Sequence, residues 1–307
     1  MATDTTPAPP ATKRTNTTGQ PPRRRKRYTA DKVPMGTIIG RMIVGLIVFA
    51  VFVLPYLIMF FGSVKTKSQI RSVDPTYFPQ EWHWENFVDM WSTSETPLVQ
   101  NMISTVVIAV CATLLVLLVA LPAAYYTARF KFPGRMVFMF LVIVTQMLQP
   151  AVLTSGLFRQ FSMLGLGDTW AAMIFVNAAF NLSFATWIMH SFFAGIPKEI
   201  DEAARLDGAG QLSVLFRINL PLVWPGIVTA IIFTFVACWN EFAASLVILS
   251  TAGNQPISVA LTKFVGQYET SWQYVFGVSI VGILPVVILF MLIEKRLVGG
   301  LTAGSVK

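Results

Sequence analysis

The chain has 307 residues, of which 54% are hydrophobic and 12% charged, against roughly 25% charged in ordinary soluble domains. That balance points away from a water-soluble domain. The net charge of +8 does not indicate a nucleic-acid partner, because the basic residues are not spread over a surface: eight of the 23 Lys and Arg lie in the first 36 residues.

Residues 1–36 are rich in Pro, Thr, Lys and Arg and include the run RRRKR at Arg23 to Arg27. They lack the apolar residues that would offset ordering entropy, so they are expected to be a disordered basic tail. The tail is either a solvated cytoplasmic segment or a contact for anionic lipid headgroups. It does not have the form of a cleavable signal, since the charged part is too long and no clear A-x-A site follows.

From residue 37 to residue 307 the pattern is that of a membrane domain. A spanning helix needs about 20 apolar residues. Six runs qualify: 38–62, 102–124, 136–157, 170–193, 225–249 and 275–293. Several contain proline (Pro55, Pro122, Pro150, Pro285), which membrane helices tolerate where neighbours re-satisfy the backbone. The expected fold is therefore all-α with six transmembrane helices. With the N-terminus inside, 18 Lys and Arg fall on the inner side and 5 on the outer. The positive-inside rule then puts both termini in the cytoplasm. Between the first two runs, PTYFPQEWHWENFVDMW carries aromatics suited to a membrane-interface belt or to a partner surface. Cys111 and Cys238 both lie in apolar runs, with no disulfide or metal-ligand spacing, and read as small core residues.

Residues 196–222 interrupt the apolar runs on the inner side. Pro197 suits the start of a helix, and Glu199, Asp201 and Glu202 follow at the end where the helix dipole favours negative charge. Ile196, Ile200, Ala203 and Ala204 form one low apolar stripe at helical spacing. Asp207-Gly208 is a turn signal, with glycine free to take positive φ. Leu212, Leu215 and Phe216 then mark a second short amphipathic segment, which Leu220-Pro221 ends. Spacing alone gives a helix–turn–helix at the membrane face. It leaves open whether that unit rests on lipid headgroups or docks a partner.

The pattern E-A-A, three residues, G, nine residues, I, one residue, L-P fits Glu202-Ala203-Ala204, Gly208, Ile218 and Leu220-Pro221 at every fixed position. It resembles the cytoplasmic EAA loop of binding-protein-dependent ABC import permeases. YTARFKFPGR, FFAGIPKEIDEAARLDGA, CWNEF and the C-terminal KRLVGGLTAGSVK are similar to the carbohydrate-import, MalG-type branch, and the resemblance covers about residues 38–307. It implies a type I importer permease fold in a bacterial-type inner membrane. It implies as partners a second homologous permease, two ATPase domains and an extracytoplasmic solute-binding protein, with ATP and Mg bound on the ATPase and no cofactor on this chain. It also implies that Glu202, Ala203, Ala204, Asp207, Gly208, Leu220 and Pro221 dock the ATPase. The tail Gly304, Ser305, Val306 and Lys307 would reach the ATPase dimer. The solute expected from this branch is a sugar or oligosaccharide.

Other chemistry has little support. There is no G-x-x-x-x-G-K-[ST] phosphate loop, so the chain is not expected to hydrolyse ATP. The only histidines, His83 and His190, fall on opposite sides of the bilayer, and His190 reads as an interfacial packing residue. Glu241 is the clear ionisable residue within a run, roughly 24 Å from the inner end of its span at 1.5 Å per residue. It either lines the solute path with Asn240 and Gln146 or holds helices together. Gln149, Asn177 and Asn181 are weaker candidates for the same roles. An ion-coupled secondary transporter is the rival reading, but it needs a relay of buried ionisable groups, and one off-centre Glu is poor support for that.

Overall fold

The computed structural model describes residues 35–74, 76–92, 96–148, 150–266 and 269–303. Among the described residues the regular structure is helical, with one isolated β-bridge between Val265 and Thr270. The chain divides at Phe52 into two units. The first holds the start of α1 (Met35–Ser63), which therefore begins two residues inside the expected tail; residues 1–34 lie outside the described residues.

The second unit holds everything after that point. Two short helices, α2 (Lys67–Ile70) and α3 (Asn86–Ser92), precede the long α4 (Leu98–Arg129). Then come α5 (Arg135–Gln146), α6 (Pro150–Met163) and α7 (Trp170–Ala194). The loop segment contains α8 (Lys198–Leu206), α9 (Gln211–Ser213), a π-helical turn (Val214–Asn219) and α10 (Leu220–Leu222). The chain ends through α11 (Trp224–Trp239), α12 (Ala243–Ile248), α13 (Ile257–Ala260), a 3₁₀ turn (Leu261–Phe264) and α14 (Trp272–Ala303).

Four of these helices, α1, α4, α7 and α14, are long and apolar enough to cross a membrane. The expected third and fifth spans differ from single helices. Residues 136–157 form α5 and α6, which meet at 95°. Pro150, with no N–H to give and a ring that crowds the preceding turn, starts the second of them. Residues 225–249 form α11 and α12, with a break at Asn240 to Phe242. The segment 211–222 meets α11 at 78°.

α4 is the central element, packed most extensively on α7 and next on α11. Ala109, Ala112, Ala120 and Ala124 on α4, with Ala178 and Ala185 on α7, are buried, and such small residues let membrane helices approach closely. Gly226 does the same for α11, where an added Cβ would lie 2.4 Å from the Phe192 ring. On the outer faces, Leu114, Leu118, Met136 and Phe140 are exposed, as befits helices covered by lipid hydrocarbon. Cys111 is on that exposed face, contrary to its reading as a core residue, while Cys238 is buried.

The end of the bundle opposite the 196–222 loop is closed by the 249–256 turn. Asn101 Nδ2 donates to the carbonyls of Ala252 and Gln255, both at 2.6 Å, and Ser104 Oγ donates to that of Gly253 at 2.9 Å. Asp168, at φ 54°, accepts from the backbone N–H groups of Ser250 and Thr251. Burial works against its charged form, but the Thr251 hydroxyl, these backbone donors and Asn254 together hold the carboxyl below the ordinary carboxylate range.

Candidate functional site

α8 is built as its sequence suggests. Pro197 precedes it, Glu199 and Asp201 lie in its first turn, and Arg205 lies in its last. Gly208 ends it at φ 83°. The Ala209 N–H donates to the Ala204 carbonyl and the Gly208 N–H to the Arg205 carbonyl, both at 3.0 Å. This six-to-one and five-to-two pair is the Schellman arrangement, in which a left-handed residue closes the helix. A Cβ at Gly208 would meet nothing within 4 Å, so the turn stands clear of the bundle.

The apolar stripe does not stay on one face. Ala204 is turned into the protein and Ile196 is partly buried, while Ile200 and Ala203 are exposed. In the second segment Leu215 is buried, whereas Leu212 and Phe216 are 72% and 61% exposed. The π-helical turn accounts for that split, because its wider register breaks the three-to-four spacing. Leu220 packs against the core, and Pro221 does not end the segment but sits within α10, exposed. Glu202, Asp207 and Gly208 are exposed. Leu206, outside the expected apolar stripe, is 90% exposed beside the turn. The exposed apolar residues before and after Gly208 are thus Ile200, Ala203, Leu206, Leu212 and Phe216. The signal for Leu206 is its spacing: it lies three residues after Ala203 and six after Ile200, on one helical face with them.

Asp201 has a different place from its acidic neighbours. Its carboxylate is buried, 3.0 Å from the Arg129 guanidinium, with side-chain exposures of 8% and 4%. Asn219 donates to Asp201 at 2.9 Å, and Arg129 donates to the Ile196 carbonyl at 2.8 Å and to Asn219 Oδ1 at 3.1 Å. Arg205 lies 5.7 Å over the Phe130 ring.

A second feature is an open groove where the α5–α6 bend and α11 meet α7. A cavity of about 340 Å³ is lined by Gln146, Asn177, Asn181, Phe180, Phe184, Phe233 and Glu241 among others. Asn177 is buried and its Nδ2 has no hydrogen-bond partner. Asn181 Nδ2 donates to the Asn177 carbonyl at 2.9 Å. Asn240 is exposed, donates to the Val236 carbonyl and is not in this lining.

Glu241 is not inside a continuous helix. It sits in the break between α11 and α12, and its carboxylate caps α12. Oε1 accepts from the Ala244 N–H at 2.8 Å; Oε2 accepts from the Ser245 N–H at 2.9 Å and the Ser245 hydroxyl at 2.7 Å. Its carbonyl accepts from Ser258. One residue therefore both faces the cavity and holds the broken span. His190 hydrogen-bonds Thr127 at 3.0 Å and takes no part in the cavity. Gln149 and the tail Gly304 to Lys307 lie outside the described residues.

The family model described as "Binding-protein-dependent transport system inner membrane component" matches residues 120–299. The chain is 32% identical over 264 residues to the inner membrane ABC transporter permease protein YcjP of Escherichia coli (strain K12), spanning 86% of this chain and 94% of that one. It is 31% identical over 253 residues to the sulfoquinovosyl glycerol transport system permease protein SmoH of Agrobacterium fabrum, spanning 82% and 88%. A solved bacterial ABC transporter involved in the import of the acidic polysaccharide alginate matches with a TM-score of 0.72 at 21% identity, covering 85% of this chain and 96% of that one. At that identity the likeness speaks for the fold.

Proposed function

The chain belongs to the binding-protein-dependent transport system inner membrane component family, and from that membership we propose that it is one permease of an ATP-binding cassette importer for a sugar or oligosaccharide. In this reading it lies in a bacterial-type inner membrane with both termini cytoplasmic, in keeping with the excess of Lys and Arg on the side of the 196–222 loop. A second permease completes the path. An extracytoplasmic binding protein delivers the solute. A separate ATPase binds ATP and Mg and supplies the energy.

The observation that carries the proposal is the loop surface. Ile200, Ala203, Leu206, Leu212 and Phe216 are exposed on the two sides of a glycine turn, uncovered by the described residues. Such a surface fits a cleft on the ATPase, with Glu202 and Asp207 at its rim; Ala204 and Leu220 support it from behind. The tail Gly304 to Lys307 is a second proposed ATPase contact. Transport is alternating access: closure of the ATPases moves the loop, and the loop moves the spans.

The cavity suits the solute class. Amides from Gln146, Asn177 and Asn181 can exchange hydrogen bonds with hydroxyls, and Phe180, Phe184 and Phe233 offer apolar faces to a sugar ring. The sulfosugar in one relative's name agrees with a hydroxyl-rich cargo. Glu241, with its carboxylate held by three donors, acts here as the shape of the path and not as an ion relay.

Gly208→Asp tests the docking role. The positive φ costs a non-glycine residue roughly 1 kcal/mol or more, and the carboxylate would project where the ATPase must approach. The variant should insert at the wild-type membrane level, lose uptake, and either release the ATPase or leave it hydrolysing ATP without transport. Wild-type uptake at equal membrane level would refute the docking role.

A further inference from the structure

We infer that Arg129 is a positioning residue for transport, fastening the 196–222 loop to α4 so that loop and span move as one body. The inference rests on the proposed docking of an ATPase at that loop. Arg129 is the last residue of α4, and its guanidinium reaches the loop at three places. It donates to the Ile196 carbonyl where the chain enters the loop, pairs with Asp201 inside α8, and donates to Asn219 at the end of the π-helical turn. Asn219 closes the set by donating to Asp201 and to the Val214 carbonyl. The next residue of α4's end, Phe130, takes Arg205 of α8 over its ring.

The covalent routes out of the loop are poor transmitters. The chain leaves α7 through the Gly195 turn and enters α11 through a 78° bend at Val223. Neither continues a helix straight from the loop into a span, so the seating of the loop depends on its side-chain contacts. The Arg129 network instead joins the loop to the helix that packs on both α7 and α11. A buried ion pair is seldom the most stable filling for its space. What it supplies is fixed geometry, and a planar guanidinium with several donors fixes more than an ammonium would.

The test uses the complete transporter, with its second permease, ATPase and binding protein, reconstituted in vesicles. The reading is solute imported per ATP hydrolysed. Arg129→Lys keeps the charge but cannot hold both hydrogen-bond acceptors, Ile196 and Asn219, while paired with Asp201. It should assemble at the wild-type yield and import about tenfold less solute per ATP, a factor within the usual range of inter-site coupling. The double variant Arg129→Met with Asp201→Leu removes the charges together. It should assemble, because no buried charge is left alone, and still couple poorly. A merely structural role predicts the reverse: a lower yield, with the wild-type ratio of solute to ATP in whatever assembles.

Wild-type solute-to-ATP stoichiometry in either variant overturns the inference. Failure of both variants to assemble also overturns it, by making the network a folding element only. Gly208→Asp separates this from the docking proposal: if it transports normally, docking at the loop is wrong, whereas if it fails while Arg129→Lys couples normally, only the Arg129 link is wrong.

Discussion

Replacing Glu241 by Gln isolates the charge at the broken span. The wild-type carboxylate offers two acceptor oxygens to three donors at 2.7 to 2.9 Å. A glutamine offers one oxygen, and its NH₂ would face a backbone N–H. The Ser245 hydroxyl can turn to the remaining oxygen, so one backbone donor of α12 is left unmatched. A buried unsatisfied donor costs about 1–3 kcal/mol, and loss of a negative charge at a helix N-terminus costs about 0.3–1 kcal/mol. The two together suggest about 2 kcal/mol of local stability. Hydrogen exchange reads this directly: the 242–248 peptide should lose protection about 30-fold in Glu241→Gln, since 2 kcal/mol is a factor of that order. Uptake should fall with assembly intact, because the cavity wall loosens without losing a core residue. Unchanged exchange in that peptide would refute the capping argument, whatever uptake does.

Three further outcomes are expected. Asp168→Asn tolerates the positive φ but removes the charged acceptor of Ser250 and Thr251. Its folded pKa is depressed, so the stability difference from wild type should be full above about pH 4 and vanish as pH falls through the lower folded value, measurable as thermal midpoints against pH. His83 hydrogen-bonds Glu85 at 2.7 Å, with Glu81 3.5 Å from its other nitrogen, and the Glu85 bond raises its pKa above 6.5. Its NMR titration midpoint should lie above that value and drop in Glu85→Gln, the loop contact being full below the ordinary histidine pKa and lost as pH rises through the raised one. Gly226→Ala should destabilise by about 1–3 kcal/mol through its clash with the Phe192 ring, and Phe192→Ala in the same chain should recover most of the thermal stability.

Residues 38–307 announce a membrane chain because apolar runs of spanning length need no tertiary information. The loop turn was equally legible, since Asp207-Gly208 and the acids before it are local signals that the structure meets with a Schellman closure. The two breaks were not. The run through Trp239, Phe242 and Leu246 is apolar on both sides of residue 241, and the cap that stabilises the break comes from a residue that reads as a buried charge. Asp201 shows the same limit at longer range. Beside Glu199 and Glu202 it looks like one more charge at a helix start, and only the fold brings it to Arg129 at the end of another span. The buried side of Ala204 and the exposed side of Leu206 depend likewise on how α8 is rolled, which its own sequence does not fix.

A photoreactive amino acid in place of Leu206, in the assembled transporter, tests the central claim most directly. Leu206 is 90% exposed beside the Gly208 turn, so the probe perturbs little of the packing among the described residues. If the 196–222 loop is where the ATPase docks, illumination should link this chain to the ATPase subunit, and the link should weaken in the Gly208→Asp background. Cross-links to lipid alone or to the second permease, with none to an ATPase that is present and active in the same complex, would contradict the account.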